Sequence, residues 1–148
     1  MAVAVAPDLV SEDRETSRLL VVEVQSSISD RDRDFFLRQL RSYAEALGKP
    51  KTVYYVLVDS DTIQFYEEAS PPPRLLLSFS TAEVLKPYMG QSYTGEMSEF
   101  LLAGMTMAWL RDLGSHWREQ NPPGSDHIAP DVIDLLTKAA VRVASPRP

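Results

Sequence analysis

The stretch Leu19-Leu20-Val21-Val22-Glu23-Val24-Gln25 decides the fold. It is too short and too rich in β-branched residues for a helix, and apolar side chains on both faces mark a strand buried in the middle of a sheet. Alternation puts Leu19, Val21, Glu23 and Gln25 on one face and Leu20, Val22 and Val24 on the other. Glu23 and Gln25 therefore point the same way at the strand's end. A carboxylate in that place is costly unless a metal ion, an arginine or backbone donors meet it, so Glu23 calls for a partner.

Working outward toward the start, residues 2–10 read as a strand leading into Asp8, with Pro7 marking an edge or a strand end. Residues 11–17, Ser-Glu-Asp-Arg-Glu-Thr-Ser, read as the exposed connection of a hairpin. The strand of Leu19 to Gln25 then returns beside the first, and Asp8 and Glu23 meet across neighbouring strands. In the other direction a polar link leads to Ser29 or Asp30 as N-cap of a helix. From about Asp32 to Leu47, Phe36, Leu40, Tyr43 and Leu47 mark the face laid on the sheet, and Gly48 and Pro50 end it. Gln39 and Tyr43 stand four apart, so their polar ends share the edge of that face. Arg31, Arg33, Arg38, Arg41 and Glu45 lie on the far side, toward solvent.

Val53 to Val58 is a second buried strand, and Asp59-Ser60-Asp61 turns the chain into the alternating Ile63 to Glu67. Strand, helix, strand in this spacing predicts a right-handed crossover and a parallel pair within a mixed sheet. After the stiff Pro71-Pro72-Pro73 come a short strand, Leu75 to Phe79, and a short helix opened by a Ser80/Glu83 capping box. A long helix over Gly95 to Glu119 is apolar nearly all round, so either a final helix, Asp131 to about Val143, or a second chain must cover it. Residues 145–148 read as a frayed tail. The expected class is α/β (α+β): a central mixed sheet of about four to five strands with a crossover helix. It forms a single domain over 1–148, a sheet core over 1–80 and a helical extension over 81–148.

The composition bounds the function. The chain has 148 residues, 44% apolar and 24% charged, which is ordinary for a globular domain. With no cysteine it has no disulfide, thiolate nucleophile or cysteine-bound zinc, which fits a reducing cytoplasm. No apolar run is long enough for a membrane span, and the first residues lack the basic region of a secretory signal. A net charge of −6 argues against a broad grip on a phosphate backbone, although a local basic cluster remains available. His116 and His127 have no second ligand at metal-binding spacing and read as surface or packing residues, and Glu12-Asp13-Glu15 reads as a solvated loop.

Pro7-Asp8, then Glu23-Val24-Gln25 at the end of the second strand, then Gln39-Leu40-Arg41-Ser42-Tyr43 on the helix, form an ordered series that resembles the motifs of the PD-(D/E)xK nuclease superfamily. The Gln-xxx-Tyr element resembles the RecB-type branch, which includes the Cas4 exonucleases. The resemblance covers about residues 5–68 and implies a restriction-endonuclease-like core and metal-assisted hydrolysis of DNA. It implies that Asp8 and Glu23 bind Mg²⁺ or Mn²⁺, with the Val24 backbone carbonyl as a third ligand. Gln25 stands where the family usually has a lysine, and Gln39 and Tyr43 would steady the substrate or the Gln25 region. Family members usually begin with a helix that supplies a further acidic or histidine ligand. Only six residues precede Pro7 here, so that helix is expected to be dispensable, replaced by the C-terminal helices, lost along with activity, or absent because the chain is part of a larger protein. Glu96 or Glu99 of the long helix are the available stand-ins.

Without the resemblance, Glu23 reads as a buried strand acid paired with Arg38 or Arg41, Asp8 as a turn residue bonding its own backbone, and Gln39 and Tyr43 as the rim of a packed helix. Two functions follow from these alternatives. One is a small Mg²⁺-dependent nuclease with a nucleic-acid partner. The other is a catalytically impaired nuclease-like fold that binds a protein partner or dimerises through the apolar helix 95–119. A basic groove leading to Glu23, lined from Arg31, Arg33, Arg38, Arg41 and Lys51, would separate them.

Overall fold

Two apolar faces on one strand require a layer of protein on each side of the sheet, and the chain supplies both. The computed structural model describes residues 6–69, 72–90 and 98–144. Strands β1 (Leu9–Asp13) and β2 (Arg18–Val24) form an antiparallel hairpin, and helix α1 (Asp30–Ala46) crosses to β3 (Thr52–Val58), parallel to β2. Strands β4 (Thr62–Glu67) and β5 (Arg74–Ser80) continue antiparallel from β3. Helices α2 (Thr81–Leu85), α3 (Glu99–Ser115) and α4 (Pro130–Lys138) follow, then strand β6 (Arg142–Val143). The mixed sheet has six strands in the order β5-β4-β3-β2-β1-β6.

The alternation expected along β2 holds. Leu19, Val21, Tyr55, Leu57 and Tyr66 pack under Leu37, Leu40, Tyr43 and Ala44 of α1. Leu20, Val22, Val24, Val56, Ile63 and Phe65 face Leu102, Trp109, Leu110 and Leu113 of α3 and Val132, Leu135 and Leu136 of α4. Phe65, Phe79 and Trp109 meet edge to face, with ring centroids 5.9–6.2 Å apart. The apolar α3 is thus covered mainly from within, by the sheet and by α4. The exceptions are Phe100 and Leu101 in its first turn, 90% and 47% exposed.

Several boundaries differ from the sequence reading. Residues 2–5 of the strand expected to lead into Asp8 lie outside the described residues; among the described residues the first strand begins after Asp8 and extends through Ser11, Glu12 and Asp13. Those polar residues are tied down: buried Ser11 donates to the Ala139 carbonyl, Glu12 faces Arg14 and Arg142, and Asp13 faces Arg18. The connection shrinks to a tight turn in which Ser17 takes a left-handed φ of 55°. Ser29 is the N-cap of α1, accepting from the Asp32 N–H at 3.2 Å. Arg33 and Arg41, expected in solvent, are engaged by Asp30 and Glu68. Ser80 precedes α2 without a side-chain cap bond; instead Thr81 Oγ1 donates to the Asp59 carbonyl at 2.8 Å. The last helix ends at Lys138, because Ala139 turns extended, Val141 enters the core and Arg142 and Val143 pair with β1. That sixth strand is the one the helical reading of 131–143 had hidden. The predicted Pro71 spacer residue and the tail 145–148 lie outside the described residues, as does the start of the helix expected from Gly95.

Helices α3 and α4 approach closely at Gly114, where an added Cβ would collide with the Leu136 carbonyl. Backbone cannot yield as a flexible side chain can, so Gly114→Ala is expected to cost about 1–3 kcal/mol, read as a lower urea midpoint at unchanged m-value.

Candidate functional site at the end of the central strand

The hairpin register determines the site. β1 pairs with β2 from Leu9–Val22 to Asp13–Arg18, and Asp8, one residue before β1, lies with its carboxyl against that of Glu23. The Asp8 backbone is held on both sides: its N–H donates to the Val22 carbonyl at 2.9 Å and its carbonyl accepts from the Ala144 N–H at 3.2 Å. Its side chain is held as well, Oδ2 accepting from the Val24 N–H at 2.7 Å. Because the Val24 N–H is turned toward Asp8, its carbonyl lies along the same edge.

Glu23 Oε2 accepts from Gln25 Nε2 at 2.6 Å. Glu99, in the first turn of α3, reaches round the strand end from the other face, Oε1 accepting from the Ser26 N–H at 3.3 Å. Burial pushes the Glu23 carboxyl up to about 7; the charge of Asp8, contact with its carboxyl and the charge of Glu99 act the same way, against the Gln25 hydrogen bond. Among the described residues no lysine or arginine pairs with Asp8 or Glu23. Arg41 pairs with Glu68, and Arg38 lines a separate groove with Asp34, Pro72 and Pro73. The arginine-paired reading of Glu23 is therefore replaced by an acid pair with no cationic partner among the described residues.

Beside Glu23 opens a cavity of about 190 Å³, lined by Glu23, Gln25, Phe35, Phe36, Gln39 and Leu40. Gln39 stands on its wall. Tyr43, one turn further, is packed in the core beneath α1 at 2% exposure and does not line it. Asp8, Glu23, Val24, Gln25 and Gln39 are thus gathered at one place, and Tyr43 supports the helix that carries Gln39. Glu99 stands near the same strand end, on the Ser26 N–H, and acts on Glu23 through its charge; Glu96 lies outside the described residues. Phe35 and Phe36 are the cavity residues that motif reasoning passed over, although an adjacent aromatic pair at the start of an amphipathic helix was visible in the sequence. His116 caps α3 in a left-handed conformation and stands apart from the site.

Among the described residues no three carboxylate or histidine side chains converge as a ready-made cation cage. Two carboxylates with open solvent nonetheless suit a hard ion that keeps several waters, so the donor set fits Mg²⁺ or Mn²⁺ better than zinc. Comparison of the chain with family models, with curated proteins and with solved structures found no match.

A carboxyl with a raised folded-state pKa binds more protons folded than unfolded, so stability declines as pH rises from about 4.5 to 7. Allowing for the partial exposure of Glu23, the decline it causes is about 1–2 kcal/mol. Glu23→Gln should flatten that part of the pH–stability curve measured by urea unfolding. Asp8→Asn, which keeps an acceptor for Val24 and removes the opposing charge, should reduce it.

Proposed function

We propose that this chain is a Mg²⁺-dependent nuclease of the PD-(D/E)xK type acting on DNA, with Asp8 and Glu23 as the ion's carboxylate ligands. The observation that carries the proposal is the acid pair itself: two carboxyl groups in contact, one largely buried, with no cationic side chain on either among the described residues. A fold kept only for packing has no use for an arrangement that costs stability at neutral pH. The order of strand hairpin, crossover helix and parallel strand is also the one the resemblance implies for the restriction-endonuclease-like core.

In this reading Asp8 and Glu23 hold the ion, and the Val24 carbonyl lies on the edge where it would add a third oxygen. A bound Mg²⁺ would neutralise charge on the scissile phosphate and make a coordinated water more acidic. Gln25, fixed by its bond to Glu23, has its amide oxygen available to accept from the attacking water, which orients that water without supplying charge. Gln39 presents a second amide from α1 to whatever occupies the cavity.

A second reading, a nuclease-like fold serving as an interaction module, is favoured by the exposed Phe100 and Leu101. Calorimetry with Mg²⁺ and Mn²⁺, run beside cleavage assays on single- and double-stranded DNA, separates the two. Metal binding by the wild type, with cleavage falling roughly a hundred-fold or more in Glu23→Ala and Asp8→Asn, supports the nuclease. A wild type that takes up neither ion and cuts neither substrate rules it out.

A further inference from the structure

We propose that the cavity beside Glu23 seats one unpaired nucleobase, so that the strand presented to Asp8 and Glu23 is single-stranded. The role as substrate rests on the nuclease reading; the base seat itself does not. Its walls are chemically mixed. Phe35, 48% exposed, stands edge-on to Phe36 with centroids 5.4 Å apart at 72°, and Phe36 is packed against the α1 core. Phe35 is thus an aromatic surface braced from behind. Gln39 brings an amide to the same cup, able to donate and accept along a base edge, and Gln25, tied to Glu23, adds a polar wall. A small, mostly apolar cavity with a few convergent polar groups is the usual form of a small-ligand seat.

Charge selects the occupant. Among the described residues no lysine or arginine lines the cavity, one wall is Glu23, and the chain carries a net charge of −6. Phosphate contacts and counterion release therefore cannot supply most of the affinity at this point. A neutral heterocycle is compatible with such walls, and stacking on an aromatic ring is independent of charge and tolerant of base identity. Bases within a duplex are stacked and paired, so they reach a cup only when unpaired.

The test uses full-length Glu23→Gln protein, to suppress cleavage, and fluorescence anisotropy with labelled single-stranded DNA, the matching duplex and an abasic strand of equal length. The expected result is preference for the single strand over both competitors. Phe35→Ala and Phe35→Leu should weaken that binding roughly ten-fold or more, while Phe35→Trp retains it. That pattern supports the base seat even where the wild type cleaves nothing, an outcome that would remove only the nuclease reading. Equal binding of abasic and intact strands, no binding of any strand, or indifference to Phe35→Ala overturns the base seat, even where the wild type cleaves DNA.

Discussion

The meeting of the Asp8 and Glu23 carboxyls at the end of the first hairpin is the constraint that gives this molecule its character. A strand slipped by one residue would send Asp8 to the opposite face and leave Val24 without its side-chain acceptor. Nothing in the hairpin permits that slip. The far end is anchored by buried Arg18, which meets Asp13, Asp131 and Asp134, and the near end by Asp8 between Val22 and Ala144. Like charges directly opposite destabilise a sheet. The register is nevertheless enforced by both flanking strands, so the cost is concentrated on two carboxyl groups.

This is not a shortage of cations. Arg18 lies at the other end of the same strand and gathers three acids, with Tyr54 donating to Asp131 at 2.5 Å. Arg41 joins Glu68, which Tyr55 also contacts, and Arg74 joins Glu67. Asp59, likewise buried near a strand end, accepts from the N–H groups of Ile28, Asp61 and Thr62. Asp8 has the Val24 N–H as donor, whereas Glu23 has only the neutral Gln25 amide beside a second carboxyl, and among the described residues neither has a cationic partner.

Much of this was legible from residues alone. The faces of β2 followed from strict alternation, and the acid pair followed from a hairpin whose turn lay between Asp8 and Glu23. The parallel partner β3 followed from a helix-length insert between two apolar runs. What was not legible depended on tertiary partners. Ser11, Glu12 and Asp13 look like loop and are strand because Ala139, Arg142 and Arg18 satisfy them. Residues 139–143 look like the end of a helix but are not helical, and Arg142 and Val143 are strand because the edge of β1 stood open to them. The arrival of Glu99 at the site depends on how α3 crosses the sheet, which no local pattern encodes. Gln39 and Tyr43, equal in the motif, separate in space because one sits at the rim of α1 and the other beneath it.

Gln25 is where the electrostatic argument reaches furthest. A lysine in its place would put a positive charge against Glu23, and at an effective dielectric constant of 20 a pair at 4 Å is worth about 4 kcal/mol. It would neutralise one acid and reduce the need for a metal ion. The glutamine instead donates a neutral hydrogen bond to Glu23 at 2.6 Å, which orients the carboxyl without neutralising it, while burial and the charges of Asp8 and Glu99 push its pKa up. The substitution therefore acts in opposite directions on two quantities that are often treated as one. It deepens the attraction for a divalent cation, and it removes a positive group that would stabilise charge developing on a phosphate. On the proposed nuclease reading, a site of this composition would depend on a bound ion rather than on a charged side chain.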